Sequence, residues 1–252
     1  MRYFVRFSYN GTDFHGSQVQ PNGITVQEVM EQCFTTILRA PIALTFAGRT
    51  DAGVHAAEMW AHWDNTQILS IEDIRKLQQR LNSLLPASIA VYEIVPVTDD
   101  AHARFSATAR TYEYRITTQK DPFHAHTISR INPGLDYGLM NEAAQLLLGK
   151  HDFASFCRVH TDVKTTFCTV MHANWKTISP TEAIFTITAD RFLRNMVRAV
   201  VGTLFEVGRK KITVDDFQQI INSLNRCAAG QSAPADGLFL THVEYPRELF
   251  LN

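Results

Sequence analysis

The chain has no long apolar segment, no closely spaced cysteines and almost no net charge. No stretch approaches the roughly 18 consecutive apolar residues of a membrane-spanning helix. Residues 1–9 carry Arg2 and Arg6 where a signal peptide would have its apolar core. The four cysteines are scattered without a C-x-x-C pair, which is typical of reduced thiols. We therefore expect a cytoplasmic protein without a disulfide framework.

The composition is that of a globular protein, with 252 residues of which 45% are hydrophobic and 19% charged. This length allows one large domain or two of ordinary size. The net charge of −1 does not by itself indicate a polyanionic partner. Local basic patches can nevertheless bind a phosphate backbone on a nearly neutral protein.

Basic residues concentrate in two segments. Residues 190–211 contain Arg191, Arg194, Arg198, Arg209, Lys210 and Lys211, and residues 104–120 contain Arg104, Arg110, Arg115 and Lys120. Arg110, Arg209, Lys210 and Lys211 are the RNA-binding candidates among them. A simpler interpretation of the cluster 209–211 than RNA binding is a solvated C-terminal helix end, where positive charge is favourable.

Hydrophobic periodicity predicts the same order of elements twice. Residues 2–9 alternate as a half-buried strand, with Tyr3, Val5 and Phe7 on the buried side and Phe4 on the other. Thr25 and Glu28 form a capping-box pattern ahead of a first helix. The remaining elements of this half are strands at 42–46 and 54–63, a helix that starts after residue 70 and is stopped by a proline at 86, and a strand at 90–95.

The second half repeats this order with one added helix. It reads as a strand at 109–118, a helix at 137–149, strands at 166–178 and 182–190, helices at 192–207 and 213–225, and a last strand at 237–245. We therefore predict an α+β fold of two ferredoxin-like βαββαβ halves, residues 1–104 and 105–252. They would form an extended, mostly antiparallel sheet with helices on one face and a central cleft as the ligand site.

Residues 46–56 read F-A-G-R-T-D-A-G-V-H-A and connect two predicted strands. Asp51 in this segment is open to two interpretations. It is an ordinary turn aspartate that bonds local backbone, or a carboxylate presented as nucleophile or general base with Arg49 beside it. The small residues around it leave room for a broad, flat ligand.

Aromatic and basic residues of the second half raise similar alternatives. Tyr112 and Tyr114 share one face of a predicted strand. Packing within the fold explains one of the two tyrosines, and the other could instead stack beneath a nucleobase. Arg194 and Arg198 are four apart on a predicted helix starting at 192, so an anion would relieve their mutual repulsion. That anion is Asp51, an RNA phosphate or solvent.

No motif indicates a metal or a cofactor. The metal-capable side chains between 151 and 172 are His151, Cys157, His160, Cys168 and His172, and their spacing matches no structural zinc pattern. His55 and His62 lie on a predicted strand and are interpreted as packed or exposed, not catalytic. We predict no metal site.

Taken together, the segments resemble the tRNA pseudouridine synthases of the TruA family. The resemblance runs the length of the chain and rests on Y-N-G-T-D-F-H-G-S-Q-V-Q-P at 9–21, G-R-T-D-A-G-V-H-A at 48–56, F-S-A-T-A-R-T-Y-E-Y-R-I at 105–116, F-L-R-N-M-V-R at 192–198 and A-P-A-D-G-L-F-L-T-H-V-E-Y-P at 233–246.

The resemblance implies roles for individual residues. Asp51 matches the family's catalytic aspartate, Tyr112 its active-site tyrosine, and Arg198 the arginine that pairs with the aspartate. Arg49 matches the residue that replaces or steers the target nucleotide, and Leu238 an apolar residue of the base pocket. A cytoplasmic homodimer without a cofactor is implied in the same way, with Arg194 as a further substrate-binding candidate.

The implied reaction converts uridine to pseudouridine in the anticodon stem-loop of tRNA, at positions 38 to 40, on a nucleotide flipped out of the stack. Two rival interpretations are an RNA-binding protein without chemistry, which needs the basic and aromatic residues but not Asp51, and a hydrolase, in which Asp51 cleaves a glycosidic or phosphate bond. The hydrolase needs a second carboxylate or a metal, for which Glu58 is the only nearby candidate.

Overall fold

The computed structural model describes residues 1–158 and 164–251. The chain divides into two compact units, one made of Met1–Thr108 and Leu240–Asn252 and the other of Ala109–Phe239. In the described residues no helix is both long enough and apolar enough to cross a membrane. Ten strands, paired mostly antiparallel, and five α-helices occur in the described ranges, which confirms the predicted mixed α+β fold.

The first unit follows the predicted order of elements. Its elements are β1 (Arg2–Tyr9), α1 (Val26–Leu38), β2 (Thr45–Phe46), β3 (His55–Asp64), α2 (Ile71–Leu84) and β4 (Ile89–Val97). Strand β10 (Leu238–Glu244) reaches this unit through residues 240–244, and the strands are ordered β4-β1-β3-β10. β1 pairs antiparallel with both β3 and β4, and β2 pairs with β3.

Local side-chain chemistry fixes the helix starts of this unit. The Thr25 hydroxyl accepts a hydrogen bond from the Glu28 N–H at 3.3 Å, which satisfies one of the unpaired donors of the first turn of α1. Ser70 and Asp73 form a complete capping box at α2. These two contacts explain why α1 and α2 begin where the sequence predicts.

Strand β1 alternates as predicted, with Tyr3, Val5 and Phe7 buried and the second face partly exposed, except that Phe4 on that second face is also buried. Tyr3 stacks on Trp63 on one face, with ring centroids 5.3 Å apart. Phe4, on the other face, is fully buried against Tyr245 and Phe250, at centroid distances of 5.3 and 6.2 Å. The last residues of the chain cover Phe4, and a local alternation pattern cannot show such a distant contact.

The second unit contains most of the remaining elements. They are β5 (Ala109–Thr117), β6 (Ser129–Arg130), α3 (Tyr137–Gln145), β7 (Gly149–Asp152), β8 (Phe167–Ser179), β9 (Glu182–Ala189), α4 (Met196–Gly208) and α5 (Val214–Ser223). The strands are ordered β5-β9-β8-β7, all antiparallel, with β6 parallel to β5. Phe205 of α4 packs against Tyr114 and Trp175, which places this helix over the sheet.

Candidate active site

Asp51 lies on a tight turn in the connection between β2 and β3 of the first unit. The Val54 N–H donates to the Asp51 carbonyl at 3.2 Å, and Gly53 has a φ of +77°, which favours glycine. Asp51 is partly exposed and Arg49 is exposed, whereas Thr50 between them is buried. The turn therefore has a fixed backbone on which Arg49 is exposed and Asp51 is partly exposed.

The segment 9–17 forms the support of this turn. The Gly53 N–H donates to the Phe14 carbonyl at 3.3 Å. A Cβ placed on Gly16, whose φ is +89°, would lie 2.8 Å from the Thr50 carbonyl oxygen, so only glycine fits there. Gly11 packs even more closely on the Val54 carbonyl. Sequence reasoning did not assign a role to these glycines.

His55 and Glu58 on β3 are held in structural contacts. The buried His55 accepts a hydrogen bond at Nδ1 from the Gly11 N–H, at 3.0 Å. Glu58 Oε1 accepts from the Val243 N–H at 3.0 Å and from the Trp60 indole at 3.2 Å, and it lies 3.0 Å from His242 Nδ1. A carboxylate committed to these contacts is a poor second acid for glycosidic or phosphate hydrolysis.

The two tyrosines of β5 have different surroundings. Tyr114 is fully buried and its hydroxyl donates to the Pro234 carbonyl at 2.9 Å; burial raises the pKa of this phenol well above its usual range. Tyr112 is partly exposed, and its ring meets Phe192 edge-on at 5.1 Å. Packing therefore accounts for Tyr114, and Tyr112 is the tyrosine whose surface a ligand can reach.

Arg198 lies in the first turn of α4 and is held by the segment that precedes β10. Its Nε donates to the Ala233 carbonyl at 2.7 Å, and the Ala233 N–H donates to the Arg198 carbonyl at 2.9 Å. This reciprocal pair leaves the terminal nitrogens of the guanidinium to other contacts. Leu238, at the start of β10, is buried.

The last long helix starts at Met196, so its predicted start at 192 was wrong. Asn195 takes a left-handed conformation with φ of 64° and donates through its amide to Ser232 Oγ at 2.6 Å. Arg194 therefore lies ahead of the helix, exposed, and does not share a helical face with Arg198. Its carbonyl accepts a hydrogen bond from the Arg158 N–H at 3.1 Å.

Residues 226–233 form a strap across α4 that sequence reasoning missed. The Arg226 guanidinium donates to the Gly230 carbonyl at 3.2 Å and to Ser232 Oγ at 3.0 Å. The Gly230 N–H donates to Thr203 Oγ1 at 3.0 Å. The alternation of small and polar residues in this strap carries no periodic signal, so only the A-P-A-D-G-L signature at 233–238 marked its end.

The proposed RNA-binding cations of the second unit are engaged in contacts within it. Arg209 and Lys211 both pair with Glu206, at 3.0 and 3.1 Å, and Lys210 pairs with Asp136 at 3.2 Å. Arg110 donates to the Asp190 carbonyl at 2.8 Å. The cluster 209–211 therefore carries less uncompensated charge than its sequence indicates.

In the parts of the chain that the structure describes, no three His, Cys, Asp or Glu side chains are grouped so as to hold a metal ion. His160, one of the metal-capable residues of the sequence, lies outside the described residues. Cys157 and Cys168 are buried, and burial raises the pKa of the Cys168 thiol to about 12. A thiol held protonated in this way is a poor metal ligand.

The candidate residues are distributed over both units. Arg49 and Asp51 belong to the first, and Tyr112, Arg198, Leu238, Arg194 and Arg110 belong to the second together with the cluster 209–211. The first unit has a partly exposed carboxylate at Asp51. The second has a partly exposed tyrosine at Tyr112 and a guanidinium at Arg198 that is anchored through its Nε.

Comparison with known proteins gives a consistent result. A family model described as tRNA pseudouridine synthase matches residues 143–246. The chain is 54% identical to tRNA pseudouridine synthase A of Bacteroides fragilis over 249 residues, which cover 99% of this chain and 98% of that protein. It is 51% identical to the protein of the same name from Porphyromonas gingivalis, over 99% of both chains.

More distant relatives carry the same description. The chain is 39% identical to tRNA pseudouridine synthase A of Pseudoalteromonas atlantica over 253 residues, which cover all of this chain and 95% of that protein. The relatives are thus similar over both units and not over one alone. On identity of this extent and coverage, the chain belongs to the family of tRNA pseudouridine synthases, enzymes that isomerise uridine in tRNA to pseudouridine.

Proposed function

We propose that this chain forms pseudouridine in the anticodon stem-loop of tRNA, at positions 38 to 40, with Asp51 acting on the ribose of a nucleotide flipped out of the stack. The observation that carries the proposal is the turn of the first unit. Its backbone is fixed by hydrogen bonds and close glycine contacts, while the Asp51 side chain stays partly exposed.

The chemistry requires a carboxylate and no redox step. The bond between N1 and C1′ breaks, the uracil turns, and C5 bonds to C1′; C5 loses its proton to solvent and N1 takes up another. Asp51 either attacks C1′ to give a sugar ester, from which C5 then displaces the carboxylate, or removes the C2′ proton to give a glycal and returns that proton when C5 bonds to C1′. Both routes need an ionised carboxylate, which a neighbouring guanidinium favours.

The other residues have supporting roles in this proposal. Arg198 pairs with the carboxylate, and its anchorage to Ala233 supports this role because it fixes one edge of the guanidinium. Tyr112 stacks on the uracil and helps to remove the C5 proton. Arg49 takes the place of the flipped nucleotide, Leu238 lines the base pocket, and Arg194 and Arg110 contact the RNA.

The setting of the enzyme is proposed on the family resemblance. We place it in the cytoplasm as a homodimer that needs no cofactor, with the cluster 209–211 and Arg110 contributing to tRNA binding. A net charge of −1 supports a binding surface assembled from local patches, since the total charge attracts no polyanion.

The test is release of tritium from tRNA labelled at C5 of uridine. We expect release with the wild-type chain and a loss of at least about a thousandfold with Asp51→Asn, which keeps the side-chain shape but not the charge. Asp100→Asn, an exposed aspartate of the same unit, is the control and should release tritium normally. Release by Asp51→Asn would refute the catalytic role.

Product analysis separates the two rivals. Recovery of free uracil identifies a hydrolase, and a product of unchanged mass identifies an isomerase. tRNA binding without tritium release by the wild-type chain identifies an RNA-binding protein without chemistry.

A further inference from the structure

A chain of buried hydroxyls lies beneath Asp51. The Tyr9 hydroxyl is 2.8 Å from Thr50 Oγ1, and the Thr50 N–H donates to Ser17 Oγ at 2.8 Å. The Ser17 N–H returns a hydrogen bond to the Thr50 carbonyl at 3.2 Å. The exposed fractions of Tyr9, Ser17 and Thr50 are 3%, 1% and 9%, so water competes little for these contacts.

The two contacts with Ser17 hold the peptide planes on both sides of Thr50, and the Tyr9 hydroxyl holds the Thr50 side chain. Because a peptide unit is planar, holding the Thr50 carbonyl also holds the amide of Asp51. The Asp51 carbonyl is held in turn by the Val54 N–H. Only side-chain rotation is left to place the carboxylate.

We propose that Tyr9, Thr50 and Ser17 are positioning residues for Asp51. The inference rests on the proposed function, because a fixed carboxylate matters only if it reacts. A displacement of about 1 Å can lower an enzymatic rate on the order of a hundredfold, so a loosened turn reduces turnover even when the tRNA still binds.

Tyr9→Phe is the most direct test, since it removes one oxygen atom and leaves the ring in place against Phe7. We expect kcat for tritium release to fall about tenfold to a hundredfold. The Kd for tRNA should stay within about twofold, as Tyr9 does not reach the surface. The matched control is Tyr92→Phe, whose hydroxyl is also 2.8 Å from a serine, Ser8, but at an exposed site. It should leave kcat unchanged.

Rescue distinguishes positioning from general stability. Thr50→Val keeps the side-chain shape and removes Oγ1, whereas Thr50→Ser retains the hydroxyl. We expect Thr50→Val to lower kcat as Tyr9→Phe does, Thr50→Ser to retain most of it, and the double variant Tyr9→Phe/Thr50→Val to be no slower than either single variant. All rates are measured well below the melting temperature of each variant.

The outcomes separate the two hypotheses. If Asp51→Asn is inactive while Tyr9→Phe and Thr50→Val turn over at the wild-type rate, the positioning role is wrong and the catalytic role stands. If Asp51→Asn remains active, the proposed function itself fails. Additive losses in the double variant, or an equal loss with Tyr92→Phe, would also overturn the positioning role.

A second feature of the first unit is independent of this network. Phe105 is 76% exposed on a turn fixed by internal hydrogen bonds. His102 Nδ1 accepts from the N–H groups of Arg104 and Phe105, at 3.1 and 3.3 Å, and Ser106 Oγ accepts from the His102 N–H at 2.9 Å. The Phe105 ring lies 4.4 Å from the His102 ring, and the Arg104 guanidinium is 5.8 Å from the Phe105 centroid.

We infer that Phe105 is a stacking site for an unpaired base of the RNA substrate. The turn holds the ring beside His102, at an interplanar angle of 37°, so the aromatic surface is already in place before a ligand arrives. A nucleobase covers such a surface through stacking, and the nearby guanidinium suits the negatively charged backbone. This inference uses only the tRNA binding that the proposed function requires.

The measurement is the Kd for tRNA at fixed salt. Phe105→Leu should weaken binding about fivefold to thirtyfold, and Phe105→Trp should retain it because the aromatic face is kept. Phe123→Leu, at a phenylalanine that is 90% exposed in the second unit, is the control and should bind as the wild type does. Wild-type binding by Phe105→Leu, or an equal loss with the control, would overturn the stacking site. Failure of the wild-type chain to bind tRNA would refute the proposed function instead.

Discussion

At the scale of single residues, equivalent side chains differ in what the fold allows them to do. Tyr112 and Tyr114 point to the same face of β5, but only Tyr114 is fully buried and bonded to the backbone at 2.9 Å. Glu58 and Asp51 belong to neighbouring segments, but Glu58 is held by the backbone N–H of Val243 and Asp51 lies on a partly exposed turn. Sequence spacing alone does not separate these pairs.

We predict that Arg198→Lys lowers kcat about a hundredfold to a thousandfold, as losing one oriented hydrogen-bond donor does in other enzymes. A lysine has a single ammonium group and cannot both replace the Nε bond to the Ala233 carbonyl and pair with Asp51. The check is single-turnover tritium release. Arg75→Lys, an exposed arginine on α2, should leave the rate unchanged. An active Arg198→Lys would show that the anchored guanidinium is not needed.

His62 provides a prediction about acid stability. It is buried and accepts a hydrogen bond from the Ala103 N–H at 3.1 Å. Burial, with smaller contributions from the charges of Arg2 and His102, lowers the pKa of this imidazole to about 4. The unfolded chain, with a pKa near 6.5, therefore takes up a proton first as the pH falls. His62 should destabilise the folded state progressively between about pH 6.5 and pH 4, by on the order of 2 to 3 kcal/mol in total.

The comparison is with His62→Asn, which retains an acceptor and cannot titrate. Free energies of unfolding from urea titrations at pH 7 and pH 4.5 should fall less for His62→Asn than for the wild type. His126→Asn, at an exposed histidine, should behave as the wild type does. Equal losses in wild type and His62→Asn would show that this imidazole does not control acid stability.

At the scale of elements, the sequence predicts helices that have local caps better than elements set by distant contacts. α1 and α2 begin at the expected threonine and serine because the capping bonds are local. α4 begins later than its apolar periodicity indicates, because Asn195 adopts φ of 64° and bonds to Ser232, far along the chain. β7 was missed for a similar reason, since a strand of residues 149–152 is defined by its pairing with β8.

The strap 226–233 makes α4 sensitive to one methyl group. Gly202 packs so closely on the Gln231 carbonyl that a Cβ would overlap backbone. We predict that Gly202→Ala destabilises the chain by about 2 to 3 kcal/mol and moves the strap that anchors Arg198 through Ala233. kcat should therefore fall even at temperatures where the variant is folded.

The control is Gly138→Ala on α3, where a Cβ would meet only Asp136 Oδ1 at 3.2 Å. This variant should stay within about 1 kcal/mol of the wild type, helped by the higher helix propensity of alanine. Urea denaturation measures both variants. Equal stabilities for Gly202→Ala and Gly138→Ala would contradict the close packing of the strap.

At the scale of the whole molecule, the chain forms two compact units, and the first is built from two segments that are far apart in the chain. Residues 240–252 belong with Met1–Thr108, and Ala109–Phe239 forms the other unit. No local pattern indicates that the last strand returns to the first unit, because the apolar alternation of residues 238–244 is compatible with a strand in either unit. The recognisable signatures therefore predicted the family and the fold class, and the roles of the candidate residues stay predictions, whereas the path of the chain could not be derived from them.

The nearly neutral charge gives a prediction about salt. With a net charge of −1, tRNA binding must come from local patches and should weaken steeply as salt rises. Arg209, Lys210 and Lys211 are changed together to glutamine. The slope of log Kd against log salt concentration should then fall by roughly 0.7 to 0.9 for each phosphate that the variant no longer neutralises. The matched control changes Arg75, Lys76 and Arg80 on α2 to glutamine. An unchanged slope in the first variant would show that the cluster 209–211 forms its ion pairs with Glu206 and Asp136 but does not contribute to tRNA binding.

We propose that Asp51 of this chain makes pseudouridine at positions 38 to 40 of tRNA. The most direct measurement maps pseudouridine at single-nucleotide resolution in tRNA from cells that lack the chain. Three strains are compared: one without complementation, one complemented with the wild type and one complemented with Asp51→Asn. We predict pseudouridine at those positions only with the wild type. Pseudouridine at those positions in the uncomplemented cells, or its restoration by Asp51→Asn, would contradict the account.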